Sequence, residues 1–212
     1  MEERMRDLET LVEHIRADFE AKHHAREEGL ASCREALRLS ANAIRAVHRE
    51  EFDAAEKALE RAADLLKRAK AALEPHPDIF HAGFVHDAQK EYAEACLALA
   101  LIDGRPLPEP HTLDVEYSAY LNGMGEAVGE LRRHLLDSLR GGEIERCENL
   151  LSIMDDIYSV LVTFDYPEAL TGGLRRTADA VRGILERTRG DLTVAVRQRD
   201  LERKLEQLES RL

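Results

Sequence analysis

Pro and Gly fall in a few short clusters along this chain, and the segments between the clusters are long. The clusters stand at Pro75 and Pro77, in the linker 103–112, at Gly141-Gly142, at Pro167 and at Gly190. Pro suits the first turn of a helix and Gly its end, so these positions are plausible helix boundaries. They predict helices at roughly 3–50 (in one or two pieces), 51–74, 78–102, 113–140, 143–164, 167–189 and 191–211.

Within these segments, apolar residues recur with the spacing of one buried helix face. The clearest set is Leu150, Ile153, Met154, Ile157, Leu161 and Phe164, which follows the i, i+3, i+4, i+7 pattern. No stretch alternates polar and apolar residues as a half-buried strand does. With only 12 Gly and 6 Pro in 212 residues, the chain has little turn chemistry for an all-β fold. We therefore expect a single all-α domain of about seven helices over residues 1–212.

The charge is acidic overall but unevenly distributed. Thirty basic and 42 acidic side chains give a net charge of -12, which at first argues against a nucleic-acid partner. From Thr171 to the end, however, ten basic residues stand against seven acidic ones. A local basic surface can bind phosphates even where the total is negative.

The cysteines and the hydropathy pattern indicate a cytoplasmic protein. Cys33, Cys96 and Cys147 are odd in number and far apart, so a disulfide framework is not expected and a reducing cytoplasm is the simpler interpretation. The charged N-terminus does not resemble a signal peptide. The longest uncharged stretches fall well short of the ~18 apolar residues of a membrane-spanning helix.

The last predicted helix carries a short heptad seam. Leu201, Leu205, Leu208 and Leu212 are spaced by 4, 3 and 4 residues, with charged residues at their flanks. Two interpretations stay open. The helix packs on its own domain, or its seam is a surface for self-association.

Several familiar motifs are missing from the sequence or incomplete. The nine His form no HxxxH pair and a single ExxH pair, Glu20–His23, whereas a di-iron carboxylate bundle uses two, which disfavours a zinc site or an ordinary di-iron bundle. The segment from Gly123 to Gly129 imitates a GxGxxG loop, but it has one residue too many and follows no strand. We expect its glycines to allow close helix packing instead.

Carboxylates on two predicted helices form a candidate metal site. Glu91 and Glu94 are three residues apart and project from one helix face, with Asp87 one turn earlier. Asp156, on another helix, falls at the flank of an apolar face, while Asp155 is predicted to point further toward solvent. Hard divalent ions such as Mg²⁺ or Mn²⁺ take oxygen ligands. In a chain this acidic, a solvated face is the alternative.

Four arginines form a candidate phosphate-binding stripe. Arg34, Arg38, Arg45 and Arg49 fall within about 60° of one another at 100° per residue. His48 adjoins them, and the apolar residues of the same helix face elsewhere. Here too a solvated face is the alternative interpretation.

With these residues identified, most of the chain from Arg34 onward resembles the translin family, which comprises translin and translin-associated factor X (TRAX). The carboxylate helix reads Lys90-Glu91-Tyr92-Ala93-Glu94-Ala95, where TRAX chains typically have Gln at the first position. The most specific block is Tyr120-Leu121-x-Gly123, followed by Gly129-Glu130-Leu131-x-Arg133. Arg34-Glu35-x-Leu37-x-Leu39-Ser40, Ala43-Ile44, His48-Arg49, Gly142-Glu143-Ile144 and the helix of Asp156 complete the resemblance.

The resemblance implies a seven-helix fold that assembles into closed, hollow oligomers, typically octamers, and binds single-stranded RNA and DNA on basic inner surfaces. It also implies that TRAX-type chains are metal-dependent endoribonucleases, with carboxylates at the positions of Glu91, Glu94 and Asp156. Lys90, which replaces the usual Gln, could contact phosphate or face water. Glu130 belongs to the family pattern and could pair with Arg133 or bind metal.

The leading hypothesis is a Mg²⁺- or Mn²⁺-dependent endoribonuclease acting on RNA inside a homo-oligomer, with an octamer favoured. Glu91, Glu94 and Asp156 would be catalytic and metal-binding, and the four-arginine stripe would hold the phosphate backbone. The second hypothesis is a non-catalytic scaffold that binds single-stranded RNA or DNA. A third is a helical assembly protein without a nucleic-acid function.

Overall fold

The computed structural model describes residues 2–210, which form nine α-helices and no strand. Six of the helices are long: α1 (Glu2–Val47), α2 (Phe52–Leu73), α4 (Phe84–Ile102), α6 (Tyr117–Arg140), α7 (Ile144–Leu161) and α9 (Leu174–Glu209). Three are single turns in the connections: α3 (Pro77–Phe80), α5 (Pro110–Leu113) and α8 (Glu168–Thr171). The predicted all-α class is confirmed.

Helix α4 lies at the centre of the packing. It contacts α1, α2 and α6, while α6 in turn packs against α7 and α9. Every residue of α4 from Tyr92 to Ala100 is buried, which explains the long uncharged stretch there. A connected core of buried apolar side chains extends from Cys33 to Leu192. Cys33, Cys96 and Cys147 are all buried, free thiols within this core.

The buried apolar face predicted within 143–164 is largely confirmed on α7. Leu150, Met154, Ile157 and Leu161 are buried. Phe164 does not belong to that face, because α7 ends at Leu161 and the Phe164 side chain is partly exposed in the following connection.

Three predicted boundaries are wrong, each for a local reason. No break occurs at Gly190, since Leu185 and Leu192 are buried and hold one continuous α9 against its neighbours. A single Gly costs a helix only about 1 kcal/mol relative to Ala. The predicted helix 78–102 is divided at Gly83, whose φ is 100°. The predicted helix 167–189 is divided at Gly172-Gly173, both with positive φ.

Two glycines of α6 allow the close helix packing that their pattern predicts. A Cβ on Gly123 would lie 2.6 Å from the Lys90 carbonyl oxygen and 2.9 Å from the Glu94 nitrogen. A Cβ on Gly125 would overlap the Thr177 side chain of α9. Gly129 has open space around it, so the prediction fails for that residue. Helix α6 is thereby held tightly between α4 and the start of α9.

The two longest helices carry exposed apolar residues far from the core. Leu201, Leu205 and Leu208 of the heptad seam are all exposed on α9, whereas Leu212 lies outside the described residues. The seam therefore does not pack on its own domain within residues 2–210. None of the helices in this range is both long and apolar enough to span a lipid bilayer.

Candidate functional site

Three glutamates from two adjacent helices form a compact cluster. Glu91 and Glu94 of α4 and Glu126 of α6 each offer a carboxylate oxygen, and these atoms lie within 4.8 Å of one another. We call this set the glutamate cluster. The structure thus brings together two of the predicted ligands and adds Glu126, which was not among the predicted site residues.

Glu126 reaches the cluster because of Gly123. The missing side chain of Gly123 lets α6 approach the α4 backbone between Lys90 and Glu94. Glu126 is three residues further along α6, so it projects from nearly the same face. In the sequence, the feature that points to Glu126 is its position between the two family blocks that contain Gly123 and Gly129. That feature becomes informative only once α4 and α6 are known to be neighbours.

The cluster is electrostatically unfavourable without a cation. Only 8% of Glu94 is exposed. Burial, and then the charges of Glu91, Glu126 and Glu130, raise the pKa of Glu94 to about 8. Burial and the neighbouring carboxylates also raise the pKa of Glu91. Such shifts mean that the ionised forms are poorly compensated by the protein itself.

Lys90 supplies part of the compensating charge. Its Nζ lies 2.6 Å from Glu126 Oε1 and 4.0 Å from Glu91 Oε1. Lys90 is therefore mostly buried rather than facing water, while the phosphate contact stays a prediction. None of the ion pairs among residues 5–210 includes Glu94.

Glu130 and His48 form a separate pair beside the cluster. The His48 side chain is buried, and its Nε2 makes a short hydrogen bond with the Glu130 carboxylate. This contact lowers the pKa of Glu130. The hydrogen-bonded partner of Glu130 is therefore His48, and Arg133 acts on it only through its charge. His48 points into the protein instead of extending the arginine stripe.

The predicted ligand Asp156 lies outside the glutamate cluster. It is exposed on α7, and it is not among the carboxylates that the described residues bring together. Its neighbour Asp155, predicted to point further toward solvent, is instead half-buried and pairs with Arg189 at 2.5 Å. Asp87 is also exposed and outside the cluster.

A cavity of about 600 Å³ opens next to the glutamate cluster. All three glutamates line it, together with Gly125 of α6 and residues of the first turns of α9, including Arg176 and Thr177. The donor set is entirely carboxylate oxygen, and one member is nine-tenths buried. These features fit a hard divalent cation that keeps several waters.

The four arginines of the predicted stripe are all exposed. Arg34, Arg38 and Arg45 lie on α1, and Arg49 follows its end. Arg38 pairs with Glu35 at 2.5 Å and Arg49 with Glu51 at 2.7 Å. Arg45 donates to Asn42. Exposed pairs of this kind contribute at most about 1 kcal/mol, so a phosphate can displace them.

Comparison with known proteins gives close structural matches. Two structures of AfC3PO, from Archaeoglobus, are 35% identical to this chain and superimpose with a TM-score of 0.82. They match 89% of this chain and 97% and 98% of their own. One of them is a complex with duplex RNA.

Two more distant relatives extend the comparison. Apo-NeC3PO, from Nematostella, shares the fold with a TM-score of 0.77 at 23% identity, over 87% of this chain and 96% of its own. An uncharacterized protein of Methanocaldococcus jannaschii is 29% identical over 190 residues, which are 89% of this chain and 84% of that protein. No family model matches the chain.

Proposed function

We propose that this chain is a divalent-metal-dependent endoribonuclease that hydrolyses phosphodiester bonds in bound RNA. The C3PO structures are translin-family structures, and their 35% identity shows that the chain belongs to the translin family. The observation that carries the proposal is the glutamate cluster, in which two predicted catalytic residues, Glu91 and Glu94, meet Glu126 beside an open cavity. A surface-exposed acidic patch would not raise the pKa of Glu94 to about 8.

In this proposal the three glutamates hold Mg²⁺ or Mn²⁺. The bound ion would activate a water and offset the negative charge that develops on the phosphodiester. Glu94, the most buried of the three, fixes the inner side of the site, while the partly exposed Glu91 and Glu126 border the cavity. Asp156 keeps its predicted catalytic and metal-binding role from the family resemblance alone.

The arginine stripe is proposed to hold RNA by its phosphates. Contacts to phosphate position a nucleic acid without reading its sequence. The duplex RNA bound to AfC3PO supports RNA as the ligand, and duplex as well as single-stranded RNA should be tested.

Arg38→Glu combined with Arg45→Glu should lower RNA affinity at least tenfold and flatten its salt dependence. Arg140→Glu, an exposed charge reversal on α6, is the matched control. Equal affinities for the double variant and the control would remove the stripe from the proposal.

We further propose that the chain works as a homo-oligomer, with an octamer favoured, in the cytoplasm. Two exposed apolar rows support self-association. One is the α9 seam of Leu201, Leu205 and Leu208, and the other comprises Met5, Leu8, Leu11, Ile15 and Phe19 on the first part of α1. Rows of this length normally become buried against a partner. The three buried, free cysteines are consistent with a reducing compartment.

Labelled RNA incubated with Mn²⁺ or with EDTA tests the function directly. Wild-type protein should cleave only with the metal, while Glu91→Ala and Glu94→Gln should lose cleavage and keep RNA binding. Glu60→Gln, an exposed carboxylate of α2, should cleave like the wild type. RNA binding without metal-stimulated cleavage would instead identify a non-catalytic scaffold, the second hypothesis from the sequence.

A further inference from the structure

Arg176 lies between two cavities. It lines the cavity of the glutamate cluster, and it also lines a larger one of about 1060 Å³ formed by the α7–α9 connection. The second cavity includes the aromatic side chains of Tyr158, Phe164 and Tyr166, as well as Arg175. Arg176 therefore borders both cavities, and its guanidinium lies beside Gly173 and Glu168, on the side of the larger one.

The backbone that carries Arg176 is held firmly against the site. Gly172 and Gly173 both have positive φ and turn the chain into α9. A Cβ on Gly172 would lie 2.9 Å from His86 Nε2, on α4. One residue past Arg176, Thr177 packs directly against Gly125 of α6. The start of α9 is therefore fixed to both helices that carry the cluster.

The charge of Arg176 is available to a ligand. Its ion pair with Glu168 joins two strongly exposed side chains, and such pairs contribute little. Lys90, by contrast, is mostly buried and already paired with Glu126. Among the described residues that line the cavity of the cluster, Arg176 is the only cation.

We propose that Arg176 contacts the scissile phosphate during RNA hydrolysis, and that the adjoining cavity receives the neighbouring nucleotide. The inference rests on the proposed endoribonuclease function. In the reaction, a water oxygen bonds to phosphorus and releases a proton to solvent, one bridging P–O bond breaks, and the departing oxygen takes up a proton from solvent. Negative charge builds on the non-bridging oxygens in between. A guanidinium can donate two parallel hydrogen bonds to those oxygens, and an aromatic wall suits a nucleobase.

Three variants of α9 test this role by single-turnover cleavage at saturating RNA with Mn²⁺. Arg176→Ala should cleave about 100-fold more slowly, the usual effect of removing one donor to a developing oxyanion. Arg176→Lys should recover part of that loss, because the charge remains while the paired geometry is lost. Arg182→Ala, which removes an exposed arginine paired with Asp179 on the same helix, should cleave at the wild-type rate.

Binding measurements separate this role from a structural one. Arg176→Ala should keep its Mn²⁺ affinity, its thermal stability and, within about threefold, its affinity for RNA in EDTA, because the contact strengthens in the transition state. If Arg176→Ala cleaves within twofold of the wild type while Glu94→Gln is inactive, the inference is wrong and the proposed function stands. If the wild type shows no Mn²⁺-dependent cleavage, both are wrong.

Discussion

Replacing Glu94 by Gln should stabilise the metal-free protein near neutral pH. Glu94 is almost completely buried, and burial together with Glu91 and Glu126 raises its pKa from 4.5 to about 8. Gln has nearly the same shape and carries no charge. The substitution therefore removes an electrostatic penalty while leaving the packing on α4 largely intact.

The sign and size of the effect follow from proton linkage. The folded state binds the Glu94 proton more tightly than the unfolded chain does, so stability is lost as the pH rises from about 4.5 to about 8. A shift of this size amounts to about 5 kcal/mol when the penalty is complete, of which about 3–4 kcal/mol develops between pH 5 and pH 8. For a domain of this length that is roughly 10 °C in Tm. Above pH 8 the penalty is complete, and below pH 4.5 it is absent.

Thermal unfolding in EDTA at pH 5 and pH 8 measures the loss of stability that Glu94 causes. Between these pH values the Tm of the wild type should fall by about 10 °C more than that of Glu94→Gln. The exposed Glu60→Gln control should behave like the wild type. Adding Mn²⁺ at pH 8 should raise the Tm of the wild type but not of Glu94→Gln. If the wild type and Glu94→Gln lose Tm in parallel between the two pH values, the carboxylate is not held in an unfavourable environment and the reasoning fails.

Further substitutions test packing, assembly and the predicted ligand on α7. Gly123→Ala should destabilise the protein by about 1–3 kcal/mol through its clash with α4. Gly129→Ala, with open space around it, should stabilise it by up to about 1 kcal/mol, and both are measured by urea unfolding. Leu201→Asp with Leu205→Asp should reduce the oligomer mass in light scattering without changing the far-UV spectrum. An unchanged mass would exclude the seam as an interface. Asp156→Ala should abolish RNA cleavage, as the family resemblance implies. If this variant cleaves at the wild-type rate, Asp156 is not a metal ligand and the three glutamates bind the ion without it.

The arrangement of helices could be predicted from the sequence where local signals agree. The linker 103–112 and the apolar face of Leu150 and Ile157 are such signals, since Pro ends helices and apolar periodicity marks a buried face. The break predicted at Gly190 is wrong because tertiary packing outweighs the small intrinsic cost of one Gly in a helix. The divisions at Gly83 and Gly172 depend on positive φ, which the sequence does not specify.

The candidate site was predictable only in part, for a physical reason. Glu91 and Glu94 share a helix face, so their proximity follows from helix geometry alone. Glu126 and Arg176 join them through contacts between helices, namely the close approach at Gly123 and the packing of α9 on Gly125. Such contacts depend on which helices are neighbours, and one-dimensional spacing does not encode that. For the same reason, a helical wheel gives the position of Asp156 on its own helix but not its distance from the glutamate cluster.

An anomalous difference map from a crystal of the protein soaked in Mn²⁺ shows whether the three glutamates hold the ion, because it locates the metal without relying on activity. We expect a strong peak within coordination distance of carboxylate oxygens of Glu91, Glu94 and Glu126, and we expect it to be lost in Glu94→Gln. A map with no peak at these glutamates, or with the ion bound elsewhere on the chain, would contradict this expectation.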